Sequence, residues 1–288
     1  MTSSVPTQQA AGCYRHRVGD AIVTALSDGY LDIGFGYFKG IEEAEAERLQ
    51  HEVFRTMPAR SAVNAFLVQT LGRTVLIDAG GGSNVGPTLG NLPASLAASG
   101  VAPGEVDAVL VTHMHPDHIG GLVGADGRAA FPNAELAVSA LEAAHWLDSD
   151  VANVPDAATK TTVALAQAVA AAYPSLRRFQ GTQPVPGIDP HPLPGHTPGH
   201  TGYRIGDLLI WGDIFQVPDI QSRRPEVGLA FDVDFDAAVA TRRRTLDMAA
   251  TDRLLVAGMH MHFPAFSHIA RAGSAYAVVP VPWTPEVG

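Results

Sequence analysis

Four short apolar runs in this chain each stop at a residue able to chelate a metal. "RTVLID" stops at Asp78, "EVDAVLVTHMH" at His113 and His115, "GDLLIWGD" at Asp213, and "DRLLVAGMH" at His260. Aliphatic, β-branched runs of four to seven residues, bounded by glycine or polar residues, predict buried strands followed by loops. Loops at strand ends are where a rigid sheet presents functional groups. A histidine that only filled the core would lie within a run, not beyond its end.

Helix-like segments separate the runs, at 40–54, 88–100, 156–173 and 234–250, the third ending at the breaker Pro174. Strands and helices that intermingle place the chain in the α/β or α+β class. At 288 residues with 46% hydrophobic and 17% charged content, it is long and apolar enough for a sizeable core. A single domain spanning 1–288 is expected, with about the first dozen residues as a flexible tail.

Composition also narrows the partners. A net charge of -10 disfavours binding along a nucleic-acid backbone. The basic triplet Arg242, Arg243, Arg244 lies in a helix-like stretch and is expected on a solvated helix face. Cys13 is the sole cysteine, so neither an intrachain disulfide nor a Cys-rich zinc motif can form, and any metal must be held by histidine and carboxylate. Nothing resembles a signal peptide or a membrane span, which makes a cytoplasmic protein the expectation.

The densest chelating stretch is "THMHPDHIGG", with His113, His115, Asp117 and His118 within six positions. A second, "PLPGHTPGHTGYRI", sets His196 and His200 in a loop whose glycines and prolines fix an unusual backbone path. These residue types at this density are those of a metal site.

Taken in order, His113-x-His115-x-Asp117-His118, His196, Asp213 and His260 strongly resemble the metallo-β-lactamase superfamily, over about residues 18 to 284. Within it, "SAVNAFLVQT", "VLIDAGGG", "PGHTPGHTGY" and "HMHFPAFSHI" look most like the methyl parathion hydrolase and aryl-lactone (dihydrocoumarin) hydrolase group. The resemblance implies an αβ/βα sandwich, two mixed sheets face to face with helices outside. It implies two divalent metal ions per chain, zinc in the first place with manganese, cobalt or iron as alternatives. One ion would take His113, His115 and His196, the other Asp117, His118 and His260, and Asp213 would bridge them. Asp78 would orient a ligand, and His200 would be a hydrogen-bonding residue of its loop. The family's spacing from the last ligand to Phe263-Pro264 and His268 selects His260 over His262, leaving His262 at the pocket rim or in a structural role.

A hydroxide shared by the two ions would attack the carbonyl carbon of an ester or lactone, or the phosphorus of a phosphotriester, with Asp117 and Asp213 as the catalytic carboxylates. Trp146, Phe215, Phe263 and Phe266, with Phe35 and Phe38 less favoured, are the candidate apolar walls, alongside His262. Acyl-homoserine lactonases carry a tyrosine three residues after the bridging aspartate, where this chain has Gln216. Diiron oxidoreductases of the fold carry glutamate in place of the second motif histidine, here His115. The expected activity is therefore hydrolysis of aryl esters or lactones, with phosphotriesters as side substrates. Other hydrolases of the fold, β-lactamase-like or acting on homoserine lactones, remain open, as does a persulfide dioxygenase-like oxidation at iron. The expected partner is a small ester or lactone, and a homodimer the expected assembly.

Overall fold

The computed structural model describes residues 6–7, 9–83, 85–148, 150, 153 and 156–287. Of the expected N-terminal tail, residues 1–5 and 8 lie outside the described residues.

Side-chain alternation explains how the first sheet is covered on both faces. Along β4 (Ala59–Thr70), Phe66 and Val68 point to one cluster while Ala65 and Leu67 point to another. The same period of two runs through β5 (Arg73–Ile77), β6 (Ala108–Leu110) and β7 (Glu135–Ser139). On the outer side, Leu67, Leu76, Val109 and Val138 share a cluster with Leu92 and Leu96 of α2 (Leu92–Ala98), Trp146 of α4 (Ala140–Leu147) and Val163 of α5 (Ala157–Ala172). On the inner side, Phe66, Ile77 and Leu110 share one with Tyr203 of β10 (Thr201–Ile205), Leu208 and Ile210 of β11 (Leu208–Ile210) and Val256 of β13 (Leu255–Ala257). The protein is thus two sheets facing each other across a shared core, with helices outside.

The first sheet runs β1-β2-β4-β5-β6-β7-β8, flanked by β1 (Cys13–Val18), β2 (Ala21–Ile33) and β8 (Arg177–Phe179). The second runs β15-β14-β13-β11-β10-β9, adding β9 (Asp189–Pro192), β14 (Ser267–Ala272) and β15 (Ala275–Pro280). Both are mixed. β5, β6, β7 and β8 are parallel, as are β11 and β13, and the remaining pairs are antiparallel. β3 (Phe38–Lys39) and β12 (Gly228–Leu229) form a separate ribbon. Among the described residues, no helix is long and apolar enough to cross a membrane.

Two local expectations need correction. β6, β11 and β13 are each three residues long, shorter than the apolar runs that announced them, because the chain turns into the chelating loops at once. The arginine triplet, on α7 (Phe235–Thr251), is not all on a solvated face. Helical geometry turns Arg242 inward while Arg243 and Arg244 stay exposed. Arg242 donates to the carbonyls of Ile214 at 2.7 Å and Val227 at 2.8 Å, which satisfies a guanidinium that has left water.

Candidate metal centre

The parallel pairs β5–β6 and β11–β13 end at one edge of the sandwich. Asp78 follows Ile77, the motif 113–118 follows β6, Asp213 follows β11, and His260 follows β13. Ties between the sheets hold these loops in register. Thr201 N donates to Thr112 O at 2.9 Å, and Tyr203 Oη donates to Val111 O at 2.7 Å. The buried amide of Asn64, on β4, donates to the carbonyls of Met259 and Met261 on either side of His260, at 2.9 and 2.8 Å.

The loops converge on three overlapping groups: His113, His115 and His196; His113, His118 and Asp213; and Asp117, His118 and His260. In the first, His113 Nε2, His115 Nδ1 and His196 Nε2 form a triangle with edges of 3.1, 2.9 and 3.2 Å. Ligand atoms about 2.0–2.1 Å from a tetrahedral zinc would stand about 3.3 Å apart. In the third, Asp117 Oδ2 lies 3.7 Å from His118 Nε2 and 3.5 Å from His260 Nε2. Asp213 stands between. Its Oδ2 is 3.2 Å from His196 Nε2 and 3.0 Å from His260 Nε2, and its Oδ1 is 3.3 Å from His118 Nε2. The residues expected to hold each ion are therefore brought together as two neighbouring sets with one shared carboxylate.

The hydrogen bonds behind the histidines test whether a cation fits. His118 Nδ1 faces Asp78 Oδ2 at 2.7 Å, His196 Nδ1 faces Asp232 Oδ1 at 2.8 Å, and His260 Nδ1 faces the carbonyl of Ala62 at 2.7 Å. His113 Nδ1 faces Thr112 Oγ1 at 3.1 Å, and that hydroxyl donates to Asp78 Oδ2 at 2.7 Å. Each outward nitrogen thus meets an acceptor and carries the proton, so each neutral ring turns a lone pair inward. Lone pairs facing one another repel unless something positive lies between them. Among the described residues, His118 Nε2 and Asp213 Oδ1 moreover find no hydrogen-bond partner, though both are buried. The donor set fits divalent cations.

Without such ions protons have to compensate, and the site polarises. Burial raises Asp213, but His260, His118, His113 and His196 outweigh it and hold the carboxyl well below its ordinary range. Burial lowers His196, but Asp213 and Asp232 outweigh that and lift it to about 9. Burial and neighbouring imidazoles hold His113 and His115 well below their ordinary value. Metal and proton compete for the same nitrogens.

Two supports named from sequence sit behind the ligands. Asp78, itself in the left-handed region at φ 57, accepts from His118, from Thr112 Oγ1 and from Thr112 N. His200 Nδ1 faces the carbonyl of Leu193 at 3.0 Å, and its Nε2 accepts from the N–H of Asp213 at 3.1 Å. It therefore fixes the bridging residue's backbone from behind. Gly212 makes room for it, since a Cβ there would lie 2.2 Å from His200 Nε2.

The expected apolar walls fare differently. Phe215 and Phe266 are not wall residues. Both are buried in the core between the sheets, Phe215 against Trp211 and Phe266 against Phe66. Phe35 and Phe38 stack on each other in a third cluster with Leu49 and Val217. Trp146 is also buried, with its ring edge-on to His115 at 5.5 Å. Phe263 is exposed, and His262 is half-exposed with Nε2 2.6 Å from Asp219 Oδ2.

Sequence reasoning missed several residues. Asp232, in a loop, and Glu142, in the first turn of α4, are buried carboxylates that serve the ligands from segments remote in sequence, and no spacing rule marks them. Tyr37 and Phe231 form an exposed stack, with centroids 5.1 Å apart, beside the segment that carries Asp232.

Two sheets with a histidine–aspartate centre at one edge define a metal-dependent hydrolase. The chain belongs to the metallo-beta-lactamase superfamily, whose pattern matches residues 59–260. No curated protein matches the sequence. Among solved structures it is similar to a hydrolase, AbOPH, of the beta lactamase superfamily. That match has 32% identity and a TM-score of 0.91, covering 96% of this chain and 100% of the other. AidC, a dizinc quorum-quenching lactonase solved with N-hexanoyl-L-homoserine, shares the fold at 24% identity and a TM-score of 0.88, covering 96% of this chain and 100% of its own. So does a probable metal-dependent hydrolase from Staphylococcus aureus, at 21% identity and 0.73, with 93% and 99% covered.

Proposed function

We propose that the protein hydrolyses aryl esters and aryl lactones at a two-zinc centre, with His113, His115 and His196 as one ligand set, Asp117, His118 and His260 as the other, and Asp213 shared. Bound there, two divalent ions supply a water deprotonated near neutral pH and a Lewis acid for the oxygen under attack. Asp213 fixes the spacing of the two sets. Asp117 is the most solvent-accessible carboxylate of the centre, with 15% of its side chain exposed, and is placed to take up and return a proton. Burial of His113, His118 and His196 keeps bulk water from competing for the centre from behind.

The observation that carries the aryl preference is the Tyr37–Phe231 stack. The N–H of Ala230 donates to Tyr37 O at 2.8 Å, Asp232 holds His196 Nδ1, and the N–H of Val233 donates to His196 O at 3.0 Å. The stack is thus joined through one short segment to a ligand of the centre. Exposed aromatic rings carried on a segment that also holds a ligand of the centre offer a surface for an apolar ring. Gln216 agrees with this reading. Its amide lies behind His196, near Asp232 Oδ1 at 3.4 Å and bonded to Gln221 at 2.8 Å, so it offers a leaving alkoxide no proton. A phenoxide, whose conjugate acid has a pKa near 10, leaves without that help, whereas an alkoxide is several units more basic.

The test is kcat/KM along a series of aryl acetates of rising leaving-group pKa, with dihydrocoumarin and N-hexanoyl homoserine lactone alongside. A steep fall, with dihydrocoumarin ahead, is expected. A flat series, or the homoserine lactone ahead tenfold (about 1.4 kcal/mol in barrier), sinks the aryl reading.

A further inference from the structure

Glu142, in the first turn of α4, is a wholly buried carboxylate, and among the described residues no cationic side chain is bonded to it. Such a group persists in the interior only if hydrogen bonds replace its hydration. Four donors do so. Oε1 accepts from the N–H of Met114 at 2.8 Å and from Trp146 Nε1 at 2.7 Å. Oε2 accepts from Thr197 Oγ1 at 2.6 Å and from the N–H of Gly199 at 3.1 Å.

Where those donors lie gives the carboxylate its meaning. Met114 separates His113 from His115. Thr197 follows His196. Trp146 sets its ring edge against His115, the one histidine of the centre for which no acceptor is found behind the ring among the described residues. One side chain therefore grips both loops that build the His113–His115–His196 triangle, together with the ring that backs its third member. Gly199 allows the approach, because a Cβ there would stand 2.1 Å from Glu142 N. None of the four donors belongs to Asp117, His118 or His260.

We propose that Glu142 is the positioning residue of the first ligand set, holding its three nitrogens on one metal and adding a buried negative charge close by, with little influence on the second set. The inference rests on the metal-ligand reading above. It predicts an asymmetry. Loosening Glu142 weakens one ion and spares the other.

In Glu142→Gln, the amide nitrogen replaces an oxygen and meets two donors, so one loop or the other loses its grip. Trp146→Phe and Thr197→Val each remove a single donor and leave the carboxylate in place. Stepwise zinc affinities would be measured for the full chain and each variant by competition with a chromophoric chelator, alongside the visible spectrum of the cobalt-loaded proteins. Glu142→Gln is expected to weaken one of the two ions at least tenfold, leave the other within threefold, and alter the cobalt bands. Each single-donor variant is expected to weaken the same ion by a smaller factor. If Glu142→Gln does not fold, the single-donor variants decide by the same asymmetry. Two affinities unchanged, or weakened equally, overturn the role of Glu142 even if metal-free stability falls. A parent chain that binds no zinc overturns the metal reading itself.

Discussion

The Asp78 carboxylate lies 2.7 Å from His118 Nδ1, and both side chains are wholly out of water. Through Thr112 the same carboxylate also reaches His113, so one residue orients a member of each ligand set. Its backbone is left-handed, a conformation asparagine tolerates, which makes Asp78→Asn a test of chemistry with little change of fold. Losing such a support typically costs about 10–100-fold in metal affinity. Asp78→Asn should therefore shed metal on dialysis against weak chelator that the parent resists, as read by ions per chain in mass spectrometry. Retention equal to the parent's counts against an orienting role.

His260 and His262 separate a ligand from a neighbour of the same type. His260 Nε2 faces both Asp213 and Asp117, whereas His262 Nε2 is engaged with Asp219, which also accepts from Arg55 Nε at 2.8 Å. His260→Ala should lose one ion and reduce turnover by at least about a hundredfold, since each ion contributes several kcal/mol to the barrier. His262→Ala should keep both ions. The opposite pattern in metal content would move the last ligand by two residues.

How much of this was legible from the sequence depended on distance along the chain. The candidate ligands announced themselves because strands end at one edge of a sandwich, and residues just past a strand end must lie there. Asp78 follows a strand in the same way, but its role, that of His200 just before β10, and the choice of His260 over His262 came from the spacing of the family pattern. Asp232, Glu142 and Asn64 act on ligands tens to hundreds of residues away, and a single buried carboxylate or amide has no local signature. The aromatics misled through direction. Phe215 lies two residues past Asp213 and Phe266 six past His260, yet each turns into the core, because proximity in sequence to a ligand does not fix which way a side chain points. Arg242 misled in the same manner, since three consecutive arginines span most of a helical turn and cannot share one face.

Removing the metal should change how stability depends on pH. In the metal-free protein His196 is lifted to about 9, above the value near 6.5 of an unfolded chain. A raised folded value gives stability that is fully present below about pH 6.5 and is lost as pH climbs through about 9. The chelated protein should therefore melt several degrees lower at about pH 9.5 than at about pH 6.5. With metal on Nε2 that proton is absent and the decline should be missing from this cause. Parallel melting curves for the chelated and zinc-loaded proteins over that range would falsify the assignment of His196 to the centre.

Phe231 and Phe266 test whether the exposed stack, and not the buried rings, meets the substrate. Phe231 is 42% exposed and packs on Tyr37, so truncating it empties no core. Phe266 is 1% exposed, in contact with Phe66, Tyr14 and His16. Phe231→Ala should leave stability within about 0.5 kcal/mol of the parent, as surface substitutions usually do. It should raise KM for an aryl ester about fivefold, the equivalent of roughly 1 kcal/mol of lost ring contact, and raise KM for a short alkyl ester less. Phe266→Ala should instead cost about 3–5 kcal/mol of stability through the cavity it leaves. At temperatures where it remains folded, its KM should stay near the parent's. Thermal melts and KM values for phenyl acetate and ethyl acetate distinguish the two roles. A Phe231→Ala enzyme with unchanged KM for the phenyl ester would remove the stack from the substrate surface, and with it the main support for an aryl preference.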